Sequence, residues 1–287
     1  MKFENIKVYN FEDAFRGMRN PKESWERSDS SFGISHSEYG EDDSDLSTTE
    51  RWILNQKNFN FNETTLSFVH DTEENYKHYQ NVFCDICFWL RKNGILNKSN
   101  KFYNYAYIGP ADMKLAQTLI KGGSEHRKFL RQIMVSVDIT APLYFFKEFD
   151  TYKIGTVANS TSTMHKITSK PITLDCFEIG DYDESVFAAN NIIPLLEDLR
   201  QKYLETKDNR YWKELIRWLP ESWLQTRTVT MNYENLLNMC STGQRRFHKL
   251  TEWSKDFIDF ARSLPYAQDL IFLDEVEKTI FEKLKKI

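Results

Sequence analysis

Nowhere in its 287 residues does the chain run to eighteen apolar residues in succession, so no segment has the length and hydropathy to span a bilayer. No apolar stretch follows a basic N-terminus, which leaves no pattern for a secretory leader. Surplus positive charge is missing too. A net charge of −4 and a pI near 5.9 give no general pull toward nucleic acid, and any polyanion site has to be a local cluster. Cysteine is scarce, with four at positions 84, 87, 176 and 240. Cys84-Asp-Ile-Cys87 has no second ligand pair at zinc spacing, and lacks the turn before a helix that a redox pair needs. It lies within Tyr79–Leu90, an aromatic-rich helical pattern where thiols pack as small apolar groups. Internal repeats and low-complexity tracts are absent. These absences lead to an expectation of a cytoplasmic protein in a reducing compartment, with no metal site, no membrane association and no nucleic-acid partner.

What is there is apolar and aromatic. At 40% apolar and 15% aromatic residues the chain is globular. It is long enough for one large domain over 1–287 with a full core. Ala14–Asn20 reads as a strand or turn. Residues 24–50, rich in Ser, Asp and Glu, read as a loop. That loop is either a solvated acidic segment or one whose Ser28, Asp29 and Ser30 cover a nucleotide. Residues 51–104 read as a helix-rich insertion. Pro110 opens a helix that Gly122-Gly123 closes, and Ser124 can cap the next. Val135, Val137 and Ile139 alternate with Ser136 and Asp138, which predicts a half-buried strand over 134–140. An aromatic helix is expected over 141–150, and further helices over 190–208, 209–219, 233–241, 245–264 and 267–286.

The stretch from Lys121 to Lys166 carries the most information. It ends in Thr156-Val-Ala-Asn159-Ser160-Thr161-Ser162-Thr163, bracketed by Lys153, His165 and Lys166. Short hydroxyl and amide donors approach oxyanions closely, and the cations supply charge. A polar surface loop is the competing reading. Upstream, His126, Arg127, Lys128 and Arg131 form a cationic cluster. At a helix N-terminus such a cluster would hold an anion; otherwise it is a solvated basic face. Asn232 and Asn238 sit in a Leu-rich helical pattern and need partners if buried. A ring edge of a bound group or a neighbouring backbone would serve.

Two blocks of sequence resemble the flavin-dependent thymidylate synthases. In the first, Gly122 to His126, Ala141-Pro142, Lys153-Ile154-Gly155-Thr156 and Asn159-Ser160-Thr161-Ser162 follow that family's central pattern. In the second, Leu219-Pro220, Thr228-Val-Thr-Met-Asn232, Leu236-Leu237-Asn238, Arg245-Arg246, His248 and Trp253 follow a later one. The blocks cover roughly 105–168 and 209–262. The family's Arg-His-Arg is Thr151-Tyr152-Lys153 here, its Glu is Ser160, and its closing Arg-Tyr is Met164-His165.

The resemblance implies an α/β (α+β) fold with a mainly antiparallel sheet wrapped by long helices, assembled as a homotetramer with shared sites. It implies methylation of dUMP at C5 to dTMP, with carbon from methylenetetrahydrofolate, hydride from NADPH, and FAD as cofactor. The site residues follow from it. Lys153, Asn159, Ser160, Ser162, His165, Lys166, Arg217 and Arg245 would bind the nucleotide, with Ser162 and Arg246 at the chemistry. His126, Arg127, Lys128, Arg131, Asn232, Asn238 and His248 would bind the flavin. Arg16 and Arg19 are placed toward the site. The altered basic motif keeps two other readings open: a sibling enzyme that modifies pyrimidine C5 differently, for instance by hydroxymethylation, and a non-catalytic nucleotide-binding protein.

Overall fold

The computed structural model describes residues 1–36, 102–243 and 248–274. In chain order it gives strand β1 (Lys2–Tyr9), helix α1 (Phe11–Arg19), strands β2 (Ser31–His36) and β3 (Phe102–Tyr107), helix α2 (Pro110–Lys121), strand β4 (Met134–Pro142) and helix α3 (Leu143–Phe149). There follow strand β5 (Val157–Ser160), helices α4 (Thr163–Lys166), α5 (Asp183–Thr206) and α6 (Asn209–Arg217), and strand β6 (Leu224–Asn232). Helix α7 (Tyr233–Met239), a π-helical turn (Glu252–Phe257) that runs into α8 (Ile258–Arg262), and α9 (Ala267–Leu270) complete it. The expected fold class, α+β with an antiparallel sheet and helices, is what these elements form. They fall into two compact units, one of Met1–Tyr9 with Ile133–Arg262, the other of Asn10–Gln132 with Ser263–Ile287.

In the first unit the sheet runs β1-β4-β6-β5, every neighbour antiparallel. Its alternation is the one the sequence predicts. Val135, Val137, Ile139, Val229 and Met231 are buried on one face, and their cross-strand pairing, Val137 on Val229 and Val135 on Met231, sets the register. Phe145, Phe146 and Phe149 of α3 are buried, as are Trp253 and Phe257 of the π-helical turn. Their rings meet edge-on or tilted at 5.1–6.4 Å, distances at which aromatic pairs attract. The opposite face carries Ser136, Asp138, Thr140, Thr226 and Thr228. There Asn5 and Thr228 both donate to Asp138, at 2.7 and 2.6 Å, and hold its carboxyl below the usual range. A second, smaller core lies among Ile167, Ile172, Phe177, Leu196 and Leu215, where the 163–177 segment packs on the α5–α6 hairpin.

The second unit is built on α1 and α2. Ala14–Asn20, expected as strand or turn, lies in α1 and its 3-10 continuation. Phe11, Ala14, Phe15 and Met18 fall at i, i+3, i+4 and i+7, a helical stripe, and all four are buried. Part of the expected 24–50 loop is a 3-10 turn at Trp25–Arg27, and Ser31–His36 pairs with Phe102–Tyr107 as β2–β3. Helix α2 begins at Pro110 and ends at Gly122 as predicted. Asp29 caps it from outside, accepting from Ala111 N at 2.7 Å and Asp112 N at 3.0 Å. Only glycine permits this approach, since a Cβ on Gly109 would stand 2.2 Å from the Asp29 carboxyl carbon.

The helix expected at Ser124 is not formed. Gly123, at φ +93, turns the chain out of α2 in the left-handed region that glycine tolerates. His126 N and Arg127 N then both bond to Gly123 O, and only a four-residue 3-10 turn, Lys128–Arg131, follows. The expected helix over 141–150 starts at Leu143, because Ala141 and Pro142 extend β4. The 190–208 helix begins earlier, at Asp183. The 51–104 insertion lies outside the described residues except for Phe102–Asn104, which are strand. Cys84, Cys87 and most of the 267–286 helix also lie outside them.

Candidate nucleotide site

Lys153 to Lys166 is not one loop. Lys153–Thr156 is a turn closed by Thr156 N donating to Lys153 O at 2.9 Å. Gly155 sits at φ +82, as the third position of a type II turn demands. The turn is tied to the start of α7 by Asn235 Nδ2, which donates to Ile154 O at 2.7 Å. Val157–Ser160 then forms β5, an edge strand on β6 with all four residues exposed. Polar content hid this strand, whose order comes from the β6 ladder and not from any apolar alternation of its own. Thr161 continues the pairing, its N–H donating to Thr226 O at 2.9 Å.

Ser162 begins the last candidate segment. Its Oγ accepts from His165 N at 3.1 Å and caps α4, which leaves the hydroxyl proton available to an oxyanion. Lys153 and the His165-Lys166 pair therefore lie off opposite ends of β5, a strand of about 13 Å at 3.3 Å per residue. Asn159 and Ser160 are on the exposed edge between them.

Helix α4 is held against α5 and α6. Trp212 Nε1 donates to Met164 O at 3.1 Å. Arg200 Nη1 donates to Thr168 O at 3.0 Å while its Nε and Nη2 grip Glu197, each at 2.8 Å. Glu197 also accepts from Ile172 N at 2.8 Å. Between these elements lies an open cavity of about 360 Å³, walled by Met164, His165 and Thr168 on one side, and by Tyr203, Asn209, Trp212 and Lys213 on the other.

Of the remaining predicted nucleotide residues, Arg217 pairs with Glu214 on α6, and Arg245 and Arg246 lie outside the described residues. Of the predicted flavin residues, Asn232 is 8% exposed and caps α7 in a reciprocal box. It accepts from Asn235 N at 2.9 Å, and its own N–H donates to Asn235 Oδ1 at 3.1 Å. A neighbouring backbone is thus its partner, one of the two outcomes the sequence left open. Asn238 is exposed near the end of the same helix. His248 Nδ1 accepts from Leu250 N at 3.2 Å, so its proton is on Nε2, 3.3 Å from Glu148. Its ring stacks on Trp253 at 5.2 Å.

In the second unit, the ring of His126 lies over Gly122, within 3.1 Å of where a Cβ would sit. Arg131 donates to Ser124 O at 3.3 Å. His126 and Lys128 are exposed. These cations suit the diphosphate of a flavin dinucleotide by charge, without a helix N-terminus behind them. Asn232 and His248 offer it no comparable free group. Arg19, placed toward the site, is buried in an ion pair with Asp112, and Arg16 pairs with Asp13 on the surface of α1.

No family model matches the chain, and no curated protein does. Solved structures do. One is the flavin dependent thymidylate synthase ThyX of Helicobacter pylori, complexed with FAD and dUMP. It is 18% identical, the match covering 58% of this chain and 84% of that one at a TM-score of 0.44. Another is the UMP/dUMP methylase PolB of Streptomyces cacaoi, bound with 5-Br dUMP. It is 13% identical over 57% of this chain and 81% of that one, at a TM-score of 0.42. At that level the likeness decides nothing about residues or chemistry.

Tyr203, Asn209, Trp212 and Lys213, which line the cavity, had no place in the sequence reading. They come from a helical hairpin whose sequence reads as ordinary amphipathic helix, and only the fold sets them opposite His165. Among the described residues no group of three or more His, Cys, Asp or Glu is placed to hold a metal, and no helix is long and apolar enough to cross a membrane.

Proposed function

We propose that this protein is a pyrimidine-nucleotide C5-modifying enzyme that converts dUMP to dTMP. One observation supports it most: the two sequence blocks behind the family resemblance, far apart in the chain, meet in one sheet. Strand β4 of the first block pairs with β6 of the second from Met134↔Asn232 to Pro142↔Leu224. Strand β5, with Asn159 and Ser160, lies on the other side of β6.

In this reading methylenetetrahydrofolate provides the carbon. The uracil C5–H is replaced by that methylene, the C5 proton leaves to water, hydride reduces the methylene to methyl, and tetrahydrofolate departs. FAD, when bound, would pass on the hydride that NADPH supplies. The chain's own part is to hold and polarise. His165, Lys166 and the Ser162 hydroxyl face the phosphate. Arg246 stabilises the enolate-like density on the uracil oxygens that makes C5 nucleophilic. Cys240 is buried and Cys176 sits beside Thr173 and Pro171, so neither is given the role of a nucleophile on C6. His126 and Lys128 would meet the cofactor's phosphates.

A second reading, C5 hydroxymethylation, is motivated by the replacement of the family's Glu by Ser160 and of its Arg-His-Arg by a segment that includes Tyr152. In place of a basic group it packs its ring on Trp253 at 5.2 Å. Purified protein given dUMP tritiated at C5, with methylenetetrahydrofolate and NADPH, should release tritium to water and yield a 5-methyl product. A 5-hydroxymethyl product selects the second reading. No release from any pyrimidine nucleotide, together with no flavin absorbance, rejects both in favour of a non-catalytic binding protein.

Shared sites also require assembly. Light scattering should report a homotetramer, and a clean monomer that keeps its activity would refute the shared-site arrangement.

A further inference from the structure

Along the core face of β6 an apolar stripe gives way to two polar residues. The ladder sets Val229 opposite Val137, Arg227 opposite Ile139 and Gln225 opposite Ala141, and all three β4 partners are buried. Side chains at alternate positions share a face, so Gln225 and Arg227 continue the stripe of Val229 and Met231. Gln225 is 9% exposed and the Arg227 side chain 17%. A polar group placed there costs free energy unless its hydrogen-bond partners are supplied.

The partners lie off both ends of β5. The Arg227 guanidinium lies over the Phe146 ring, 3.9 Å from its centroid, and its Nη1 donates to both Asp150 carboxylate oxygens, at 3.0 and 3.2 Å. Asp150 opens the 3-10 turn, Asp150–Tyr152, that leads to Lys153. Arg227 Nε donates to Gln225 Oε1 at 2.9 Å. A guanidinium only donates, so this contact fixes which end of the amide is oxygen. Gln225 Nε2 is thereby turned toward the chain beyond β5, where it donates to Thr161 O at 3.0 Å and Thr163 Oγ1 at 3.4 Å. Those two residues flank Ser162. Thr161 is pinned further, its N–H donating to Thr226 O at 2.9 Å and its Oγ1 accepting from Thr226 N at 3.3 Å. Ser162 makes no hydrogen bond to β6 among the described residues, so its placement is set through its neighbours.

We propose that Gln225, oriented by Arg227 and Asp150, is a positioning residue that aims the Ser162 hydroxyl at a substrate phosphate. The role rests on the reading of Ser162 as a phosphate contact, and goes beyond it by naming what holds that contact in place. A hydroxyl ordered before the ligand arrives loses less freedom on binding, and the difference appears as affinity. The same brace ties the Lys153 end of β5 to its Ser162 end, on an edge strand of only four residues.

Calorimetry on the full chain with dUMP, and with deoxyuridine, which lacks the phosphate, tests it. Ser162→Ala should weaken dUMP binding by about tenfold, the effect of one hydrogen bond to a charged group. Gln225→Leu, close in volume and without hydrogen-bonding groups, should weaken it to a similar degree and leave deoxyuridine unchanged. The double variant should bind no more weakly than Ser162→Ala alone, since a residue that acts only through another adds nothing once that other is gone. Hydrogen exchange at the His165 amide, which the Ser162 cap holds, should speed up in Gln225→Leu. Asp150 is exposed, so Asp150→Asn leaves the core packing intact and should give a smaller loss of the same kind. If circular dichroism shows that Gln225→Leu does not fold, Asp150→Asn and its double with Ser162→Ala decide by the same rule. Losses that add in the double variant, an equal loss with deoxyuridine, or unchanged dUMP affinity in Gln225→Leu and Asp150→Asn overturn the proposal. If Ser162→Ala weakens dUMP binding and Gln225→Leu does not, the phosphate contact stands and only the positioning role falls. If Ser162→Ala leaves dUMP affinity unchanged, or the parent binds no dUMP, contact and positioning fall together. If the binding results come out as expected but the parent releases no tritium, the positioning role stands and the C5 chemistry falls.

Discussion

Replacing Asp112 with alanine should lower stability by about 3–5 kcal/mol, the cost of leaving a buried charge without its partner. Asp112 is 0% exposed and Arg19 5%. The carboxylate accepts from Arg19 Nε at 2.5 Å, Ser28 Oγ at 2.6 Å and Ser30 Oγ at 2.5 Å. Arg19 spends its other donors on Ser24 O at 3.1 Å and Arg27 O at 2.9 Å. Alanine would strand the buried Arg19 guanidinium, while the hydroxyls of Ser28 and Ser30, exposed and half-buried, keep access to water. The double variant Arg19→Met/Asp112→Leu removes both charges, so it should lose less than the single change does. Urea unfolding of parent, single and double variants measures this. A single variant within 1 kcal/mol of the parent would mean that solvent reaches Arg19 and that the network is not what holds the 24–31 segment to α2.

The same network takes up groups that the sequence left open as ligand contacts. Arg19, Ser28, Asp29 and Ser30 look like ligand groups in one dimension, being charged or hydroxylic and set among turn residues. Whether such groups meet a ligand or one another depends on burial, and a sequence with no alternating apolar neighbours gives no signal of burial. Asp112 gave no signal either, since an acidic residue in the first turn of a helix is ordinary. Where apolar periodicity exists the reading was sound. Val135, Val137 and Ile139 placed β4, and Pro110 with Gly122-Gly123 placed α2. Where order is imposed from outside, as on β5 by the β6 ladder, the polar sequence concealed a strand.

Ser124 failed for a different reason. A capping residue needs a helix behind it, and Gly123 at positive φ followed by a tight 3-10 turn uses the backbone another way. The cationic cluster at 126–131 is therefore a set of side chains on turns, without the aligned peptide dipoles that would have strengthened an anion site. His165 and Lys166 were legible as candidates by type. Their setting was not, because Tyr203, Asn209, Trp212 and Lys213 lie about 40 to 50 positions further along the chain, on helices whose own pattern is only amphipathic.

Glu197 links stability to the cavity, and its behaviour with pH can be given a sign. The Arg200 guanidinium, with Ile172 N and Gln201 adding hydrogen bonds, holds the Glu197 carboxyl down to about 2 from the ordinary 4.5. A carboxylate whose folded value is depressed stabilises the fold above its unfolded value. That stabilisation is lost as pH falls from about 4.5 toward 2. At neutral pH the shift corresponds to about 2–3 kcal/mol, allowing for the 27% of the side chain that solvent still screens. Glu197→Gln should therefore be less stable than the parent by about that amount at pH 7, and the gap should narrow through the acid range. Urea unfolding at steps from pH 7 to pH 3 reads it, and a gap independent of pH would show that packing, not the ion pair, is what Glu197 supplies. Since Arg200 also holds Thr168 O, the same variant should loosen the cavity wall, although Glu197 itself is not among the residues that line the cavity.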